Sequence, residues 1–187
     1  MSRSICVYLG ARPGDSPVWT EAAAETGKAI AKAGHTLVYG GGQLGLMGVI
    51  ADAALEAGGR VVGVIPQQLV DLEQAHPGLH ENHIVSGMHE RKAKLTELSD
   101  AFLILPGGFG TMDELFEAVT WRQLKFHEKP ITLLNVNGYY DGLWAFLQQG
   151  KSLGFMPDST FDGLNIESDF NTAVHSLAAI GNATGER

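Results

Sequence analysis

The feature that most constrains this chain is a regular alternation between continuous apolar runs and helical stretches. The apolar runs are Ile5–Leu9, Thr36–Tyr39, Val61–Ile65, His83–Ser86, Ala101–Leu105 and Ile131–Leu134. Between and after them, Pro17–Ala33, Leu46–Ala57, His89–Leu98, Met112–Lys125 and Tyr139–Leu153 read as helices. Strands that are apolar on successive residues are buried on both faces, as in a parallel sheet covered by helices. A β-then-α repeat therefore predicts an α/β fold: a Rossmann-like, doubly wound parallel sheet flanked by helices. Local signals agree. Ser16-Pro17 suits an N-cap followed by proline at the first helical position, and Gly34 and Gly58 fall where helix C-termini favour positive φ.

The length of 187 residues suits one domain, expected over residues 1–181, with a small polar tail, 182–187, expected to fray. Composition narrows the function classes. Hydrophobic residues make up 44% and charged residues 18%, an ordinary globular balance. No apolar run reaches the roughly 20 residues of a membrane span, and the N-terminus reads as a first strand rather than a leader. The one cysteine, Cys6, lies inside that strand, so a reducing, cytoplasmic setting is expected and packing is its simplest role. A net charge of −8 disfavours a nucleic-acid partner. Any anionic ligand has to be held locally.

In such a sheet, ligands bind beyond the carboxyl ends of the strands. Two strand-to-helix junctions are glycine-rich: Gly40-Gly41-Gly42-Gln43-Leu44-Gly45-Leu46-Met47-Gly48 and Pro106-Gly107-Gly108-Phe109-Gly110-Thr111-Met112-Asp113-Glu114. Glycines there let bare N–H groups approach an anion at the positive end of a helix, so a phosphorylated ligand is expected. Gly40, Gly42 and Gly45 satisfy the spacing G-x-G-x-x-G, which raises a dinucleotide-binding oxidoreductase as an alternative. That site also wants an acidic residue ending the next strand, and here Val61–Ile65 runs into Pro66-Gln67-Gln68-Leu69. Neither loop ends in Gly-Lys-Ser/Thr, so a Walker P-loop is excluded.

Thr111 and Glu114 carry two readings. Thr-x-x-Glu at a helix start is a capping box, in which the glutamate only bonds back to the cap. Alternatively, the carboxylate stands beside the anion cradle of Gly108 and Gly110, where it suits sugar hydroxyls or a developing positive charge on a sugar. A third junction, Ser86-Gly87-Met88-His89-Glu90-Arg91-Lys92, offers Arg91, whose planar fork suits phosphate or a polarised leaving group. His89, with no paired carboxylate, reads as structural.

Met88-His89-Glu90-Arg91-Lys92 together with Pro106–Glu114 resembles the LONELY GUY (LOG) family, the cytokinin riboside 5'-monophosphate phosphoribohydrolases, which carry M-H-x-R-K upstream of P-G-G-x-G-T-x-x-E. Gly40–Gly48, Thr120-Trp121-Arg122-Gln123-Leu124 and Leu134-Asn135-Val136-Asn137-Gly138-Tyr139-Tyr140 also match, over roughly Ile5 to Pro157. The resemblance implies a homodimer that hydrolyses the N-glycosidic bond of AMP and N6-substituted AMP. No cofactor is expected, and no His/Cys/Asp spacing in the sequence suits a metal. The resemblance puts the catalytic residues at Arg91 and Glu114. Substrate contacts fall on Lys92, on the loop Gly108, Gly110, Thr111 and Asp113, and on Thr120, Gly41, Gly42 and Glu73. The chain departs from the family after the first strand, where Cys-Gly-Ser-Ser is replaced by Leu9-Gly10-Ala11-Arg12. A nucleotide-binding sensor that does no chemistry is the other reading of the same parts. Many such sequences are labelled lysine decarboxylases, but that chemistry needs pyridoxal phosphate on a lysine, and nothing in the sequence assembles those groups.

Overall fold

A computed structural model describes residues 2–70, 72 and 74–179. Seven strands form one wholly parallel sheet: β1 (Ser4–Tyr8), β2 (Thr36–Tyr39), β3 (Arg60–Pro66), β4 (Glu81–Val85), β5 (Ala101–Ile104), β6 (Ile131–Leu134) and β7 (Leu164–Glu167), in the order β4-β3-β2-β1-β5-β6-β7. The helices are α1 (Pro17–Lys32), α2 (Gly45–Glu56), α3 (Met88–Glu97), α4 (Phe109–Gln123), α5 (Asp141–Ser152) and α6 (Phe170–Ala179).

The central strands show why the sequence runs are continuous. Ile5 and Val7 of β1 pack with Ala23, Ile30, Ile50 and Val174 of α1, α2 and α6 on one face. Cys6 and Tyr8 point the other way, into Leu95, Leu115, Ala118 and Leu147 of α3, α4 and α5. Both pleat directions meet a helix layer, so successive residues of such a strand are apolar. Burial pushes the Cys6 thiol up to about 12, with the charge of Glu114 adding to it, so this cysteine is packing and not a nucleophile.

The punctuation behaves as expected at the ends of α1 and α2. The Ser16 hydroxyl accepts from the Val18 N–H at 3.5 Å, and Gly34 and Gly58 have φ of 72° and 78°. Two elements escape the sequence reading, β7 and α6. The strand is short and carries Asn165 and Glu167 at the sheet edge. The helix contains Thr172, Val174, His175 and Ser176, all modest helix formers, and is held at its start by Asp169, whose carboxylate accepts from the Thr172 N–H at 2.8 Å. The tail 182–187 and Glu73 lie outside the described residues.

The sheet order reverses direction between β1 and β5, so the loops leaving those two strands diverge to opposite faces. That divergence opens the cleft described next.

Candidate active site

A cleft of about 790 Å³ lies over the carboxyl ends of the central strands. Its walls come from the loop after β1 (Gly10–Asp15), Gly40 after β2, Leu46 and Met47 of α2, Met88 and Arg91 of α3, and Pro106–Glu114 after β5, with Trp19 and Tyr139 at one side. Arg91, Gly108, Gly110, Thr111, Asp113 and Glu114, six of the residues singled out by sequence, therefore meet in one place.

Arg91 leaves the first turn of α3 and is only 6% exposed. Its Nε donates to the Val64 carbonyl at 3.2 Å and its Nη2 to the Gly40 carbonyl at 3.0 Å. Burying a guanidinium is costly unless its donors are used, and these carbonyls, one within β3 and one just after β2, use two of them. Glycine at position 40 leaves room for this arm, since a Cβ there would lie 2.3 Å from Nη2. The arginine is thus fixed in orientation as well as in charge.

The second glycine-rich loop is built differently from the sequence expectation. The helix begins at Phe109, three residues before the expected Met112, and its N-cap is Gly108, which has no side chain to cap with. Thr111 is the third residue of α4 rather than its cap, so the capping-box reading of Glu114 is overturned. Glu114 is the sixth residue, in the second turn. The N–H groups at the start of α4 lack intrahelical acceptors, and the N-cap residue supplies no side-chain hydrogen bond to them. Around Gly108 and Gly110 there is open space, with nothing within 4 Å of the position a Cβ would take. An uncapped helix start with bare backbone facing a cleft is an anion site in waiting.

The first glycine loop differs. A Cβ on Gly45 would lie 1.7 Å from the Ala11 carbonyl, one on Gly48 1.9 Å from the Gln43 carbonyl, and Gly41, with φ of 78°, packs against Asn82 and Ile65. These glycines permit close packing of backbone on backbone. Gly42 forms a bridge with Ala75. Gly41 and Gly42 stand behind the cleft, and Gly40 alone of the triplet lines it.

Lys92 does not itself line the cleft. Its Nζ donates to Asp113 at 3.1 Å and to Glu117 at 2.6 Å, tying α3 to α4. Burial lowers the Lys92 pKa, but the two carboxylates outweigh it and leave a net rise, so the ammonium stays charged. Thr120 is exposed on α4, on the same face as Phe116 and Leu124 at spacings of four residues. Glu114 lies close enough to β1 for its charge to add to burial in raising Tyr8. Sequence reasoning missed Arg12, Trp19, Tyr139 and the methionines Met47 and Met88 as cleft residues. The departure from the family at Gly10-Ala11-Arg12 was the available signal for the first of these.

A family model described as possible lysine decarboxylase matches residues 47–177. The probable cytokinin riboside 5'-monophosphate phosphoribohydrolase LOGL1 of Oryza sativa subsp. japonica is 49% identical over 152 residues, covering 81% of this chain and 68% of the relative. The cytokinin riboside 5'-monophosphate phosphoribohydrolase of Rhodococcoides fascians is 44% identical over 176 residues, covering 94% and 89%. The chain belongs to the LONELY GUY family. Its named relatives are phosphoribohydrolases, N-glycosyl hydrolases that act on nucleoside monophosphates. Among solved structures, the molybdenum cofactor carrier protein of Chlamydomonas reinhardtii matches with a TM-score of 0.72 at 21% identity, covering 97% of this chain and 99% of that one. The molybdenum cofactor binding protein of Rippkaea orientalis matches at 0.71 and 21%, covering 96% and 98%. At that identity the likeness is one of fold.

The family description invites a test for pyridoxal phosphate, which is held as an imine on a lysine amine. Among the described residues, no lysine lines the LONELY GUY cleft, and Lys92 is committed to Asp113 and Glu117. The residues present do not fit that group. Among the described residues, no helix is long and apolar enough to cross a membrane.

Proposed function

We propose that this protein hydrolyses the N-glycosidic bond of AMP and N6-substituted AMP, releasing the free base and ribose 5-phosphate. The observation that carries the reading is the meeting of a fixed guanidinium, a carboxylate and an uncapped, glycine-lined helix start in one cleft at the switch point of the sheet. Phosphate would sit on the N–H groups of Gly108, Gly110 and Thr111, with the Thr111 hydroxyl beside it. Departure of the base leaves a sugar of oxocarbenium character, so the site has to stabilise positive charge at the anomeric carbon. Glu114 does that and orients the attacking water. The C1'–N bond breaks as the water oxygen bonds to C1', and the water proton passes to the departing base. Arg91, pinned by two carbonyls, polarises the base as it accepts charge. Asp113 and Lys92 support the cradle by holding α3 and α4 together.

The exposed stripe of Phe116, Thr120 and Leu124, with Phe126 73% exposed beyond it, suits pairing with a second copy through α4. In such a homodimer Thr120 would reach substrate only in the partner's cleft. The reading puts the enzyme in the cytoplasm, where nucleoside monophosphates are held and a lone cysteine stays reduced.

Glu114→Gln tests the assignment. Turnover of AMP should fall by at least about a hundredfold while AMP still binds, because the charge acts mainly in the transition state. A folded Glu114→Gln protein with near-normal turnover would remove Glu114 from the chemistry and leave a nucleotide-binding sensor as the better account.

A further inference from the structure

Three successive carbonyls of the loop leading into α4 are each held by a donor from elsewhere in the fold. The Tyr140 hydroxyl donates to Leu105 O at 2.6 Å, the Gly10 N–H to Pro106 O at 3.1 Å, and the Tyr139 hydroxyl to Gly107 O at 2.6 Å. The two tyrosines are adjacent in the chain and come from one short segment after β6. That segment has its own internal bracing. The Asn135 amide oxygen accepts from the Tyr140 N–H at 2.7 Å, and its Nδ2 donates to Asp141 at 2.7 Å. Asn137 and Gly138 take φ of 50° and 74°, conformations that Asn and Gly adopt most readily.

The third carbonyl matters most. In a trans peptide the C=O and the following N–H point in opposite directions. Holding Gly107 O against Tyr139 therefore turns the Gly108 N–H away from Tyr139, at the open, uncapped start of α4. A Gly-Gly peptide turns over more easily than any other, because neither residue has a Cβ to resist it. The flipped state would present a carbonyl oxygen to an anion in place of an N–H.

We infer that Tyr139 is a positioning residue: its hydroxyl locks the Gly107–Gly108 peptide with the N–H toward the anion, and the segment Asn135–Asp141 exists to aim it. Tyr140 does the same two residues back, at Leu105, and burial raises its pKa so that it remains a donor. Trp19, edge-on to the Tyr139 ring at a centroid distance of 5.8 Å, packs against that ring on the same side of the cleft. This inference rests on the reading of the cleft as a 5'-monophosphate site.

The test is Tyr139→Phe, which keeps the ring and removes the lock. Tyr139 is 46% exposed, so the fold should be undisturbed and the melting temperature close to that of the wild type. KM for AMP and the inhibition constants for ribose 5-phosphate and inorganic phosphate should rise together by about three- to tenfold, the equilibrium value of one neutral hydrogen bond, with kcat little changed. Inhibition by adenosine, which has no phosphate, should not move. Unchanged constants for all four compounds would overturn the inference while leaving the proposed function intact. So would parallel weakening of adenosine and AMP, which would place the hydroxyl's role at the base or sugar. Failure of the wild-type protein to release adenine from AMP would overturn the function and this inference with it.

Discussion

Replacing Gly40 by alanine separates the position of Arg91 from its presence. The new Cβ would lie 2.3 Å from Arg91 Nη2 and 3.2 Å from Met47 Sδ. Ordinary contact needs about 3.5 Å, so the guanidinium has to retreat by about 1 Å. That displacement takes Nη2 beyond useful reach of Gly40 O, now at 3.0 Å, while Nε can keep Val64 O at 3.2 Å. Because the obstructing atom is the end of a flexible chain, the fold has an escape that a backbone clash would not give. Losing one charge-assisted bond should cost about 1.5–3 kcal/mol of stability, or about 3–12 °C in Tm for a chain of this size. A displacement of about 1 Å at a positioned group typically costs about a hundredfold in rate, so kcat/KM for AMP should fall by that order. The assay is steady-state release of adenine, alongside a thermal melt to confirm folding. Gly45→Ala is the contrast: its Cβ would meet the Ala11 carbonyl at 1.7 Å with no side chain to yield, and the protein should fail to fold. A folded Gly40→Ala protein within about threefold of wild-type kcat/KM would refute the claim that carbonyl-fixed geometry is what Arg91 contributes.

Two further outcomes follow from the same geometry. Gly110→Ala fills open space inside α4, so it should raise stability by up to about 1 kcal/mol through helix propensity while raising KM for AMP several-fold; a melt and a titration check both, and an unchanged KM would remove Gly110 from the cradle. Burial, with the charges of Lys129 and Arg122, holds His127 down at about 4 from 6.5, so the folded state stays neutral where the unfolded state takes up a proton. That stabilisation is complete above pH 6.5 and is lost as pH falls toward 4, and His127→Asn should flatten the acid side of a Tm-against-pH curve; an unaltered slope would contradict it.

The fold was legible because parallel-sheet burial leaves its mark residue by residue. Strands such as Ala101–Ile104 have no choice but to be apolar throughout, and helix ends at Ser16, Gly34 and Gly58 announce themselves locally. The last strand and helix were not legible, since an edge strand with Asn165 and Glu167 loses the apolar pattern and α6 depends on packing more than propensity. At the site, sequence brought forward Arg91, Glu114 and the Gly108–Thr111 loop, each of a residue type tied to a chemistry. It could not tell which of Gly40, Gly41 and Gly42 faces the cleft, because that is decided by a guanidinium arriving from 51 residues away. Nor could it choose between cap and catalyst for Glu114, which turned on whether the helix starts at Phe109 or after Thr111. The sequence marked Tyr139 within a matching motif but could not show its partner, a carbonyl 32 residues earlier.

The central claim is that the glycine-lined start of α4 holds a 5'-phosphate whose binding energy drives cleavage of the glycosidic bond. It is tested most directly by parallel assays on AMP and adenosine with chromatography of both products. Charge-assisted bonds contribute about 1.5–3 kcal/mol each, so losing two or three should lower kcat/KM for adenosine by at least about a hundredfold. AMP should yield adenine and ribose 5-phosphate, with neither inorganic phosphate nor ribose 1-phosphate. Equal cleavage of adenosine would mean that Gly108 and Gly110 hold something other than phosphate, and the account would be contradicted at its base.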